Sequence, residues 1–224
     1  MTPRAAWIPS LVAAAVAGLA VAGCSDPSVD LESGDASETI QALRACDKTA
    51  DEKVVERVAE VVSHKDTMVA AEAVRSLGRM RHPAAVDALK DVAGGTKERR
   101  SPLRQEAVIQ LGRQRGAKEE VLPVLREIVQ RDPDPRVRGA AAVSISKQRS
   151  LHDVALLMEV AENETDCVVQ AQAVGAVERM VGLKFGYDPQ APKAERDKAL
   201  KRMRRFAIPA ATAVEQWEKQ KAGK

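Results

Sequence analysis

Three cysteines and three histidines are the residues from which nucleophilic or metal chemistry would ordinarily be built in this chain. A cysteine nucleophile needs a base and an orienting group beside it, and a metal site needs several donors at short, regular spacing. His64, His82 and His152 are dispersed, and no Cys-x-x-Cys pair, His-x-x-x-His spacing or Gly-rich phosphate loop occurs. The pattern predicts no catalytic residue, no metal and no cofactor. What does recur is positive charge. Arg79, Arg113, Lys147 and Arg179 follow one another at steps of 34, 34 and 32, and Arg81, Arg115 and Arg149 stand two positions beyond the first three. Cations aligned in a row can hold an anionic partner, although near helix C-termini they also simply complement the macrodipole. Arg79, Arg113, Lys147 and Arg179 are the candidate binding residues.

Side chains that recur at one interval must be carried by elements that recur with them. Asp66, Asp134 and Asp166 each stand seven residues before an alanine, and Ala73, Ala107, Ala141 and Ala173 keep the steps of 34, 34 and 32. Val69, Leu103, Val137 and Val169 form a further column, and Leu77, Leu111, Ile145 and Val177 another, so apolar residues fall at i, i+4 and i+8 on one helical stripe per repeat. A second stripe follows each first one, as in Leu122, Leu125 and Ile128, or Val154, Leu157 and Val160. Each repeat is therefore a helical hairpin. A hairpin of this size cannot bury its apolar face alone, so the hairpins must stack, which predicts an all-α solenoid. Gly78 and Gly112 end two first stripes and predict helix termini that use positive φ. Ser101-Pro102 and Asp134-Pro135 predict helix starts, with the side-chain oxygen as N-cap and proline at the first helical position.

Asp134-x-x-Val137-Arg138, with Ala141, Ala142 and Ile145 downstream, resembles the short HEAT-like repeat first associated with phycobilin lyases, and the resemblance covers roughly residues 37 to 182. Tetratricopeptide repeats want helical aromatics, whereas residues 37 to 182 contain no Phe, Trp or Tyr. The chain departs from the pattern where the arginine after the valine becomes Ala70 and Gln170, and where the glycine column becomes Ser146 and Glu178. Among enzymes with this fold, deoxyhypusine hydroxylase holds iron through His-Glu pairs. Here the residues after the histidines are Lys65, Pro83 and Asp153. The resemblance implies a noncatalytic scaffold or adaptor for a protein or peptide, and it leaves open a lyase-like enzyme or accessory subunit, whose catalytic groups no short motif would reveal.

Residues 1–23 hold Arg4 and then an uncharged Ala-, Val- and Leu-rich run, which reads as a secretory signal. The run ends in Val21-Ala22-Gly23-Cys24, which resembles the lipobox of bacterial lipoproteins, so Cys24 is the expected site of lipid attachment and the bacterial envelope the expected location. A retained membrane-spanning helix, or an ordinary signal with an incidental cysteine, is the alternative. Residues 24–36 then form a lipidated N-terminus and an acidic flexible tether. Two weaker helical patterns over 37–62 predict a degenerate capping repeat within the solenoid of 37–182. Cys46 and Cys167 stand too many repeats apart to pair and are expected as buried thiols.

Charge is distributed unevenly. The stretches predicted as second helices sum to −7 and the first to +5, and because second helices line the concave side of such solenoids, the resemblance implies a mildly acidic groove for a basic or extended peptide. A whole-chain charge of +3 and the lack of stacking aromatics in the repeats argue against nucleic acid. Residues 183–224 carry Phe185, Tyr187, Phe206 and Trp217 and a net charge of +6, which predicts a basic, aromatic-containing cap built around a helix from Ala194 to about Phe206.

Overall fold

The computed structural model describes residues 31, 35–46, 51–95 and 98–222. The expected leader, Cys24 and most of the expected tether lie outside the described residues. Ten α-helices follow in order: α1 (Ala36–Ala45), α2 (Glu52–Val61), α3 (Thr67–Arg79), α4 (Pro83–Ala93), α5 (Ser101–Leu111), α6 (Lys118–Arg131), α7 (Pro135–Gln148), α8 (Val154–Asn163), α9 (Cys167–Val181) and α10 (Lys193–Ala222). Odd-numbered helices up to α9 stack on one another, even-numbered helices up to α8 form the second layer, and the apolar columns meet between them in one continuous core. Val69, Ala73 and Leu77 of α3 and their counterparts Val137, Ala141 and Ile145 of α7 are fully enclosed. This is the α-solenoid the periodicity predicts.

The aspartate column serves as a set of N-caps. Asp66 Oδ1 accepts the amides of Met68 and Val69 at 2.7 and 3.4 Å, Asp134 that of Arg136 at 2.8 Å, and Asp166 those of Val168 and Val169 at 2.9 and 3.1 Å. Each satisfies amides that a helix start leaves orphaned. The expected Ser101 cap is corrected: Arg100 is the N-cap of α5, makes no side-chain capping bond, and leaves Ser101 inside the helix. Arg100 instead reaches back to the carbonyls of His64 and Val62 at 3.1 and 3.0 Å, tying the second clear repeat to the first.

Junctions between repeats share one device. Glu98, Asp132 and Glu164 stand at steps of 34 and 32, just before α5, α7 and α9, and each takes an arginine: Glu98 from Arg100 at 2.8 Å, Asp132 from Arg104 at 3.0 Å, Glu164 from Arg138 at 2.8 Å. These carboxylates are almost fully enclosed, so the paired guanidinium is what makes their burial tolerable. Glu164 is held below the ordinary glutamate range by the Arg138 hydrogen bonds, which outweigh its burial. The departures of the arginine column now have a reason. Ala70 precedes the junction at which Arg100 supplies the guanidinium, and Gln170, with no further repeat to reach, accepts the Tyr187 hydroxyl and donates to Ala161 O.

Gly78 and Gly112 do not terminate helices through positive φ; that conformation occurs at Arg149, Gly95, Gly182 and Gly186 among the described residues. They permit close approach of successive odd-numbered helices. A Cβ on Gly78 would lie 2.6 Å from Gln110 Cγ, and one on Gly112 would lie 2.6 Å from Ser144 Cβ and 3.0 Å from Ser144 Cα. Side chains seal the same seam: Gln114 donates to Gly78 O at 2.8 Å, Gln148 to Leu111 O and Gly112 O at 3.3 Å, and Ser144 to Val108 O at 2.9 Å. Carbonyls orphaned at one helix end are thus satisfied by the next repeat.

Even-numbered helices meet one another far less than odd-numbered ones do. The odd-numbered layer is the one whose stretches sum to +5. Two smaller expectations also change. Cys46 is buried but Cys167, the first residue of α9, is exposed. The terminal helix α10 runs from Lys193 to Ala222, well past Phe206, because Ala199, Leu200, Met203, Ala207 and Ala211 continue one buried stripe against α8 and α9. No helix among the described residues is long and apolar enough to cross a membrane.

Candidate functional site

Each residue of the basic column stands at the end of an odd-numbered helix. Arg79 closes α3, Arg113 follows the C-cap of α5, and Lys147 and Arg179 occupy the last turns of α7 and α9. Stacking therefore sets all four along one edge of the odd-numbered layer. The partial negative charge at each helix C-terminus accounts for part of their placement.

The four are not electrostatically alike. Glu72, nearly enclosed, receives Arg79 at 3.0 Å, Arg44 at 3.2 Å and Arg75 at 3.3 Å, and although burial raises its carboxyl these three guanidiniums bring it below the usual range. Arg79 is thereby ion-paired within the fold. Arg113 donates to Gln110 Oε1 at 3.1 Å, and Arg179 donates to Ser146 Oγ of the preceding repeat; neither contact supplies a negative charge. Lys147 lies between them. Burial and the like charges of Arg113 and Arg179 push its ammonium below the ordinary lysine value. Arg113, Lys147 and Arg179 thus make a contiguous cationic group with no carboxylate partner among the described residues.

A cleft of about 500 Å³ opens beside this group, between the turn joining α3 to α4 and the turn joining α5 to α6. Arg81, Arg113 and Arg115 line it together with His82 and Glu120, above a floor containing Val86. A second opening, of about 490 Å³, lies at the opposite edge, but its Asp132 and Glu164 are already spent on Arg104 and Arg138. Among the described residues no three His, Cys, Asp or Glu side chains are placed to hold a metal ion.

The sequence pattern marked the cationic column and the flanking Arg81 and Arg115, and the structure brings them to one edge. It did not distinguish Arg79, ion-paired with Glu72, from the other three, because Glu72 belongs to no recurring column. The acid column Glu98, Asp132 and Glu164 was missed although its steps of 34 and 32 were visible.

No curated protein matches the sequence. The chain is similar to a solved engineered protein at 19% identity, covering 84% of this chain and 95% of that one with a TM-score of 0.49. The HEAT repeats family matches residues 30–102 and 96–178, spanning the capping helices and the stacked hairpins described above, and the chain belongs to that family.

Proposed function

We propose that this chain is a noncatalytic scaffold of the bacterial envelope, held to a membrane through lipid at Cys24, whose basic edge binds an acidic segment of a protein partner. The observation that carries the binding half is the group of Arg113, Lys147 and Arg179, which has no carboxylate partner among the described residues. A lysine whose protonation is disfavoured by burial and by two neighbouring arginines sits in an unfavourable field until an anion arrives, so a carboxylate-bearing segment laid across three repeats would relieve it. An edge that runs across successive repeats suits such a segment better than a compact ligand. Arg79, ion-paired with Glu72, stands outside this group, so the site covers three of the four column residues. The anchoring half rests on the sequence from Arg4 to Cys24; two acyl chains would suffice for stable attachment.

The test is capture from detergent-solubilised envelopes with the full chain and with a variant carrying Arg113→Glu, Lys147→Glu and Arg179→Glu. The wild-type chain should retain a partner whose contact region is acidic, and the triple variant should lose it while keeping its helical circular dichroism. Equal capture by the two removes the site. Arg131→Glu, at the end of the even-numbered helix α6, serves as the charge control and should bind normally. In the same cells Cys24→Ser should abolish palmitate labelling and release the chain from membranes; persistent labelling refutes the anchor.

A further inference from the structure

The geometry points to an anchoring pocket for one acidic side chain of the partner segment, in the cleft between the α3–α4 and α5–α6 turns; this rests on the reading of an acidic protein partner just given. Arg81, Arg113 and Arg115 converge on the cleft from two successive repeats, and none of them forms an ion pair among the described residues. A guanidinium presents a planar fork of donors that matches a carboxylate in two parallel hydrogen bonds, so three of them around one opening select that group by shape as well as charge. His82 adds a donor. Its Nδ1 accepts the Ala84 amide at 3.2 Å as the cap of α4, which leaves the ring proton on Nε2.

Other features of the walls narrow the ligand. The volume, about 500 Å³, accommodates a side chain with its flanking backbone. Val86, Pro83 and Ala117 give the cleft apolar surface for the methylenes that precede a carboxylate. Glu120 also lines it, 3.8 Å from Lys90 Nζ and largely exposed. A dense polyanion would meet that carboxylate as a repulsive contact, whereas a peptide can offer it a backbone N–H or a basic neighbour. The site therefore takes a Glu or Asp side chain of an extended segment, which continues along Lys147 and Arg179.

Fluorescence anisotropy with the full chain and a fluorescein-labelled Glu-Ala-Gly repeat peptide tests the pocket. Arg81→Ala with Arg115→Ala should weaken binding by about tenfold or more, with the circular dichroism unchanged, and a photo-crosslinker on the peptide should label the segment around Val86 or Ala117. If the double alanine variant binds like wild type while the Arg113, Lys147 and Arg179 reversal abolishes binding, the pocket is overturned and the edge survives. If the peptide does not bind, and vesicles of phosphatidylglycerol do, the pocket and the acidic-partner reading both fall.

Discussion

At the residue scale the two glycines of the odd-numbered layer show how a correct pattern can carry a different cause. Gly78 and Gly112 fall in register at the ends of apolar stripes, which is where a chain reversal would also place glycine. The structure assigns them to contact: Gly112 sits against Ser144, whose backbone Cα would lie 3.0 Å from an added Cβ. Backbone cannot yield as a side chain can, so Gly112→Ala should cost about 1–3 kcal/mol through overpacking. Gly175, inside α9, has nothing within 4 Å of the same hypothetical atom. There Gly175→Ala should stabilise by about 0.5–1 kcal/mol, because alanine loses less backbone freedom in a helix. Denaturant melts of the two variants check the pair, and equal shifts would mean that proximity is not what keeps Gly112. Only the other repeat, placed in space, distinguishes these positions; spacing along one chain cannot. Likewise Cys167 looked like core because it borders an apolar helix, yet as the first residue of α9 it precedes the buried face.

At the element scale nearly all of the fold was legible, since a stripe at i, i+4 and i+8 needs nothing beyond its own helix to be recognised. The hairpins, their order and the weak opening pair α1 and α2 follow from it directly. The length of α10 did not, because its later inward positions, Ala207 and Ala211, are small and carry little hydrophobic signal. Those alanines, with Leu200 and Met203, cover the face that α8 and α9 would otherwise leave open, and Arg204 fastens the helix to Glu162 of α8 at 2.6 Å. Beyond Ala211 the exposed positions include Val214 and Trp217, and among the described residues none of the buried ones lies there. Truncation after Gly182 should therefore uncover an apolar surface, lower the melting temperature and bring out binding of a hydrophobic dye. Truncation after Ala211 should do neither. If both truncations behave alike, α10 is not the cap.

At the scale of the whole molecule, stacking turns a list of charges into a surface. Composition separates a basic set of helices from an acidic one, and stacking carries each set into its own layer, the odd-numbered layer being drawn close by contacts at glycine and serine. The same stack repeats an enclosed carboxylate beside an arginine at successive junctions, so its cohesion must depend on pH. Burial pushes the Glu98 carboxyl up, yet the Arg100 hydrogen bonds bring it below the usual range, and at Glu164 the Arg138 hydrogen bonds dominate outright. Carboxyls that titrate lower in the folded chain than in the unfolded one leave the unfolded state binding more protons as acid is added. Their contribution is complete above the unfolded value of about 4.3 and is lost as pH falls below it toward the folded values. Glu164→Gln removes one such junction while keeping its size. The variant should be less stable than wild type near neutral pH, and the gap between the two melting curves should close as pH falls below about 4. A gap that stays constant with pH would show that Glu164 holds the repeats together by shape alone, and the ionic account of the junctions would have to be abandoned.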